Sequence, residues 1–211
     1  MSLPKSAVRY TVEEYLAWER EADERHEYLD GEICAMAGES ENHNTICVNL
    51  ARELSLQLKG TPGQTFAKDM KVRSGPDPKP FGSLKNFFSY PDLIVVGGER
   101  RYHDEHRDVL LNPQVIIEVL SLSTEAFDRG EKFIRFRTWN PTLTDYVLVS
   151  QTAPYVEHYR RQTQEAWLLS PVAELEGRLH LVSIDCTLAL SEVYDRVAFP
   201  VDEPGAVPPE G

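Results

Sequence analysis

Three short apolar runs constrain the fold of this chain more than any other feature. They are Tyr90-Pro91-Asp92-Leu93-Ile94-Val95-Val96, Val115-Ile116-Ile117-Glu118-Val119-Leu120 and Asp145-Tyr146-Val147-Leu148-Val149. Each has the length and the β-branched content of a strand. A strand that is apolar on both faces finds burial only in a sheet covered by helices on both sides. From residue 41 onward the elements read helix, strand, strand, strand, helix, strand. The expected fold is therefore a single α/β sandwich.

The elements around those runs are marked by local chemistry. Thr11-Val12-Glu13-Glu14 has the side chains of a capping box, with Tyr10 and Tyr15 placed as a hydrophobic staple, so a helix is expected over about 12–20. Asp30-Gly31 separates His26-Glu27-Tyr28-Leu29 from Glu32-Ile33-Cys34-Ala35-Met36 and predicts a tight hairpin. Ile46, Leu50, Leu54 and Leu58 recur every fourth residue and predict an amphipathic helix over about 41–59, ended by Gly60 and Pro62. Phe66, Lys68, Met70 and Val72 alternate with polar neighbours as one strand. The stretch 74–89, with its glycines and prolines, reads as a long loop, and 97–112 as a charged one. A helix is expected over about 124–138, carrying Phe127, Phe133, Ile134 and Phe136. Segments near 155–161, 165–169 and 178–184 read as a short antiparallel meander. The expected domain spans 1–200, followed by a disordered tail at 201–211, since 200–211 holds four prolines and two glycines.

Composition excludes several classes. With 211 residues, 27% charged and 41% hydrophobic, the chain is an ordinary globular protein. No apolar stretch approaches the roughly 20 residues of a membrane span. The N-terminus lacks a signal-peptide core, so a cytoplasmic location is expected. Cys34, Cys47 and Cys186 are widely spaced and fit neither a zinc pattern nor a disulfide framework, which leaves free thiols. A net charge of -12 argues against coating nucleic acid non-specifically. It does not argue against a nuclease, because a cation bound by acids neutralises its own site.

The chemistry lies in the acids. A carboxylate inside an apolar strand costs several kcal/mol unless something compensates it, so Asp92 and Glu118 point to a metal or catalytic site. A base follows in Asp128-Arg129-Gly130-Glu131-Lys132. Two strand carboxylates and a lysine suit metal-dependent phosphodiester cleavage. Magnesium takes one or two protein carboxylates and activates water, and an ammonium stabilises the developing charge. Each residue has a plainer alternative. Asp92 could cap the strand entry after Pro91, and Lys132 could form an exposed helical pair with Asp128. Glu27, opposite Cys34 on the hairpin, is a third metal ligand, a general base or a surface residue. His43, on the helix face of Ile46 and Cys47, is a candidate accessory residue or a core histidine. Ser121 and Ser123 shape the turn into the next helix.

These residues resemble the PD-(D/E)xK nuclease superfamily, and within it the Uma-type family classed with restriction endonucleases. The likeness rests on Glu27-Tyr28-Leu29-Asp30-Gly31-Glu32, Pro91-Asp92, Ile117-Glu118-Val119-Leu120-Ser121 and Asp128-Arg129-Gly130-Glu131-Lys132. In the C-terminal half, Tyr146-Val147-Leu148-Val149 and Val156-Glu157-His158-Tyr159-Arg160 carry it, so it covers roughly 10–200. It implies a restriction-endonuclease-like mixed central sheet flanked by helices, with an N-terminal helix-hairpin and a C-terminal meander. It also implies an Mg²⁺-dependent endonuclease, with Mn²⁺ as substitute, acting on DNA. Asp92 and Glu118 would bind metal, and Lys132 and Glu27 would complete the catalytic set. The superfamily lysine stands two residues after the strand acid, where this chain has Leu120; the resemblance implies that it moves to Lys132. The alternative is a degenerate member kept as a binding or assembly module. A homodimer is the expected assembly.

Overall fold

The computed structural model describes residues 8–36, 38–76 and 84–199, and the first helix starts where its capping box requires. In α1 (Val12–Glu19) the Thr11 hydroxyl accepts from the Glu14 N–H, and the Glu14 carboxylate accepts from the Thr11 N–H at 2.8 Å. The hairpin follows as β1 (His26–Leu29) and β2 (Glu32–Ala35), with Asp30 and Gly31 both at positive φ (48° and 95°). Its register sets Glu27 opposite Cys34, as expected. Helix α2 (Glu41–Gln57) is capped by Ser40, whose hydroxyl accepts from the His43 N–H, and the chain leaves it through Gly60 at φ +83°.

The single strand expected across Phe66–Val72 is two strands. β3 (Gln64–Ala67) and β4 (Lys71–Ser74) belong to different sheets, parted by a turn in which the Met70 N–H donates to the Ala67 carbonyl at 3.2 Å. Alternation runs through that turn by coincidence, so periodicity alone could not find the break. The expected loop 74–89 ends in a further strand, the buried β5 (Phe87–Ser89). Then come β6 (Leu93–Val96), a two-residue β7 (Val109–Leu110) within the charged stretch, and β8 (Val115–Leu120). The helix expected over 124–138 is composite: α3 (Glu125–Phe127), a π-helical segment at Asp128–Lys132, and α4 (Phe133–Trp139). Ile134 is 50% exposed and not part of its buried face. The remainder is β9 (Asp145–Ser150), β10 (Tyr155–Arg161), β11 (Trp167–Ala173), β12 (Arg178–Leu181), β13 (Cys186–Ala189) and α5 (Leu190–Val193). The expected tail 201–211 lies outside the described residues.

The central sheet is mixed, in the order β11-β10-β9-β8-β6-β3, with β8 and β9 parallel and the other pairs antiparallel. A parallel pair needs a crossover, and α3, the π segment and α4 supply it. On one face Leu93, Val95, Ile117, Val119 and Val147 pack under Ile46, Leu50 and Leu54 of α2 and under β12, β13 and α5. On the other, Ile94, Ile116, Leu120, Tyr146 and Leu148 meet Phe133 and Phe136 of α4. Val72 and Phe87 join that second face from a five-stranded sheet, β2-β1-β5-β4-β7, and α1 packs on it through Val12, Tyr15 and Leu16. The mixed sheet flanked by helices is the expected class; the hairpin's membership of a second sheet adds to it. Burying each of these large side chains contributes on the order of 2 kcal/mol, so a charge among them must be held by something specific. Among the described residues, no helix is long and apolar enough to cross a membrane.

Candidate active site

Glu118 shares the strand parity of Ile116 and Leu120, so it points to the α4 side of the central sheet. Asp92 precedes β6 by one residue, and the pairing of Leu93 with Ile117 sets it beside Glu118. Its Oδ2 accepts the Val119 N–H at 2.7 Å and lies 3.2 Å from His43 Nε2. Asp92 is thus more than a strand cap: it bridges β6, β8 and α2.

Lys132 arrives from the crossover. Its Nζ lies 2.9 Å from Glu118 Oε1, 3.3 Å from Asp128 Oδ1 and 3.6 Å from Glu27 Oε1. The wide π segment turns Asp128 and Lys132 inward together, at 3% and 6% exposure, and leaves Glu131 in solvent. The pair considered from sequence as an exposed helical ion pair is buried. Such π segments recur at functional sites. Glu27 reaches the cluster from the second sheet, which is what the hairpin contributes. Leu120, at the position where the superfamily keeps its lysine, packs in the core with Phe133 and Phe136. Ser121 shapes the turn as expected, its Oγ accepting from the Thr124 N–H at 3.3 Å and lying 3.0 Å from Ser123 Oγ.

Glu27, His43, Asp92, Glu118, Asp128 and Lys132 line one cleft of about 370 Å³. Sequence reasoning missed that Asp128 belongs to it. It also missed Lys68, which is not among the cleft's lining residues but sits on the turn after β3, pairs with Glu39 and stands 3.8 Å from Asp92 Oδ1. The spacing of Asp128 to Lys132 was a signal for the first; nothing in the linear pattern marked Lys68.

The electrostatics separate the two strand acids. Burial pushes the Asp92 carboxyl up, but the hydrogen bond and charge of His43 and the Val119 N–H outweigh it, leaving its pKa below the ordinary value. Glu118 goes the other way. Burial raises it well above the usual carboxylate range, Asp128 and Asp92 add to that, and Lys132 opposes it. Burial would discharge Lys132, yet Glu118, Glu27 and Asp128 together hold its pKa well above the ordinary lysine value. Glu118 Oε1 and Asp128 Oδ1 are buried, and together with Glu27 they share the one Lys132 ammonium. A buried set of carboxylates with more acceptor oxygens than one ammonium serves fits a hard divalent cation.

Comparison with known proteins narrows the reading. The family model described as "Uma2: Putative restriction endonuclease" matches residues 12–191. "Uncharacterized protein sll1609" of Synechocystis sp. (strain PCC 6803) is 36% identical over 170 residues, which are 79% of this chain and 91% of that protein. "Uncharacterized protein slr1290" of the same organism is 36% identical over 191 residues, 90% of this chain and 94% of that one. A crystal structure described as "a putative nuclease belonging to DUF820 from Anabaena variabilis" aligns with a TM-score of 0.68 at 17% identity, covering 88% of this chain and 97% of that one. At that identity the likeness shows a shared fold.

Proposed function

The chain belongs to the Uma2 family, and on that premise we propose that it is a divalent-metal-dependent endonuclease that hydrolyses phosphodiester bonds in DNA. The observation that carries the reading is the delivery of the Lys132 ammonium to within 2.9 Å of Glu118, in the cleft that also holds Asp92. Asp92 and Glu118 would hold Mg²⁺, or Mn²⁺ in its place. When bound, such an ion polarises the scissile phosphate and lowers the pKa of a coordinated water.

The protein's own residues divide the remaining work. Asp92 stays ionised, and His43 and the Val119 N–H fix its orientation. Lys132 stays charged, so it is suited to stabilise negative charge on the phosphorane and not to remove a proton. Glu27, whose side chain is 19% exposed, is the most accessible of the four carboxylates around the cluster. It is suited to accept the proton of the attacking water or to complete the cation's shell. A lysine on the crossover replaces one on the strand because both approach the same face as Glu118.

The test is metal-dependent cleavage of plasmid and single-stranded DNA by the purified protein, beside Asp92→Asn. Nicking that needs Mg²⁺ or Mn²⁺ and is lost in the variant supports the enzyme. A second reading, a nuclease fold kept as a binding or assembly module, is favoured by the net charge of -12 and by the three carboxylates that surround Lys132. A folded wild-type protein that cleaves none of these substrates with either ion would decide for the module.

A further inference from the structure

Beside the oxygen-lined cluster lies a pair of softer donors, one of which, Cys47, the proposed chemistry leaves unused. His43 and Cys47, four residues apart on α2, present Nδ1 and Sγ 3.7 Å from each other. With Asp92 they offer three ligand atoms all within 4.8 Å of one another, and all three residues are at most 8% exposed. Tetrahedral zinc, with bonds of about 2.0 Å to nitrogen or oxygen and 2.3 Å to sulfur, sets neighbouring ligand atoms about 3.3–3.6 Å apart. The Nδ1–Sγ spacing is already near that. The 3.2 Å contact of Asp92 is to the other ring nitrogen, Nε2, so the carboxylate and the ring must turn for one ion to meet all three.

A cationic group already stands among these donors. Lys68 Nζ is 3.5 Å from His43 Nδ1 and 3.8 Å from Asp92 Oδ1, and it pairs with Glu39, whose Oε2 is itself 3.7 Å from His43 Nδ1. An ammonium held by an imidazole nitrogen and two carboxylates marks a position of negative potential that fits a cation. Lys68 sits on the turn after β3 with its side chain 19% exposed.

We propose that His43, Cys47 and Asp92 form a second cation site, selective for a thiophilic divalent ion such as Zn²⁺, with Lys68 as its displaceable plug. A thiolate and an imidazole favour zinc over magnesium, which prefers oxygen alone. Burial pushes the Cys47 thiol well above its ordinary pKa, and Asp92 adds to this, so the free thiol is protonated. Ion binding must therefore expel that proton to solvent. The widely spaced cysteines resemble no zinc pattern in the sequence because two of the ligands are a helical histidine and a strand-entry acid. The site shares Asp92 with the hard-ion position, so occupancy would compete with the cation of the nuclease reaction. That consequence, and only that, rests on the proposed function.

Cobalt(II) is the probe, because a thiolate ligand gives it a charge-transfer band in the near ultraviolet and tetrahedral geometry gives intense visible bands. The full chain carrying Cys34→Ser, which removes the exposed thiol, is titrated with Co²⁺. The expected result is a thiolate band that disappears when Cys47→Ser is added and persists when Glu118→Gln is added. Lys68→Ala should tighten Co²⁺ binding about tenfold, and Zn²⁺ should displace the cobalt where Mg²⁺ does not. A folded Cys34→Ser protein with no thiolate band at saturating Co²⁺ overturns the proposal, and so does a band that survives loss of Cys47. Weaker binding in Lys68→Ala overturns the role of the plug. A wild-type protein that cleaves no DNA leaves the band expected, so failure of the nuclease reading is read separately.

Discussion

Two buried acids stand at opposite ends of the same parallel strand pair, and the protein treats them in opposite ways. Asp145 opens β9 and is fully buried, and Glu118 lies near the end of β8 at 4% exposure. Asp145 is saturated: His158 Nε2 lies 2.7 Å from Oδ1, and the hydroxyls of Ser183 and Thr144 donate to Oδ2. Glu118 shares one ammonium, 2.9 Å from its Oε1, with two other carboxylates. Burial pushes both carboxyls up. At Asp145 the donors win and the pKa falls below the ordinary value, whereas at Glu118 burial and neighbouring acids win and it rises. A buried acid that is fully hydrogen-bonded ties elements together. One left short of donors is a site built for something that arrives from outside.

The largest expected effect is at the satisfied acid. Asp145→Asn puts an amide N–H against groups that already donate, and should destabilise the protein by about 3–5 kcal/mol, as breaking a buried pair does. Because the folded pKa is depressed, the acid contributes its full stability above the unfolded value near 3.9 and loses it as pH falls through the lower folded value. The penalty of the variant should therefore be complete at pH 7 and shrink below about pH 4. Urea melts of both proteins at the two pH values measure it. A penalty that is small at pH 7, or equal at both, would remove the distinction from Glu118.

At the unsatisfied acid the effect should fall on chemistry. Lys132→Ala is expected to lower DNA cleavage about 10²-fold, the loss of one transition-state contact, roughly 2.7 kcal/mol. Adding Leu120→Lys returns an ammonium to the same face of β8 and should recover part of the rate, since positions two apart on a strand look the same way. Single-turnover cleavage with saturating Mn²⁺ reads both. Undiminished cleavage in Lys132→Ala would take the lysine out of the mechanism and leave its three acids as a structural cage.

How far this contrast was legible in the sequence follows from the range of the forces involved. The capping box at Thr11, the Asp30-Gly31 turn and the β6 and β8 runs are local, and their residues specify them without tertiary help. The pairing of Asp92 with Glu118 was legible because acids in apolar strands are costly anywhere. Lys132 was legible as the base that follows the strand acids, and the resemblance gave it its role, although its helical spacing also fits an exposed pair. The π segment, the break at Lys68-Asp69-Met70 and the second sheet were not legible, because distant partners decide them. β5 is paired by β1 and β4, which no window around Phe87 contains. Asp145 shows the same limit: nothing beside it in sequence announces that His158 and Ser183 will satisfy it.

The smallest expected effect has the opposite sign to the first. Glu118→Gln removes a charge that burial, Asp128 and Asp92 all disfavour, while Lys132 keeps Glu27 and Asp128 as partners. In the absence of metal the variant should be more stable than wild type by about 1 kcal/mol, the gain from relieving like-charge repulsion in a buried site. Mn²⁺ should then reverse the order, raising the melting temperature of wild type through binding to the folded state and leaving that of the variant nearly unchanged. Thermal melts of the two proteins with and without Mn²⁺ read both halves of the expectation. A variant less stable than wild type without metal would mean that Glu118, like Asp145, is held in the sheet for stability. The two ends of the parallel pair would then differ in their partners but not in their purpose.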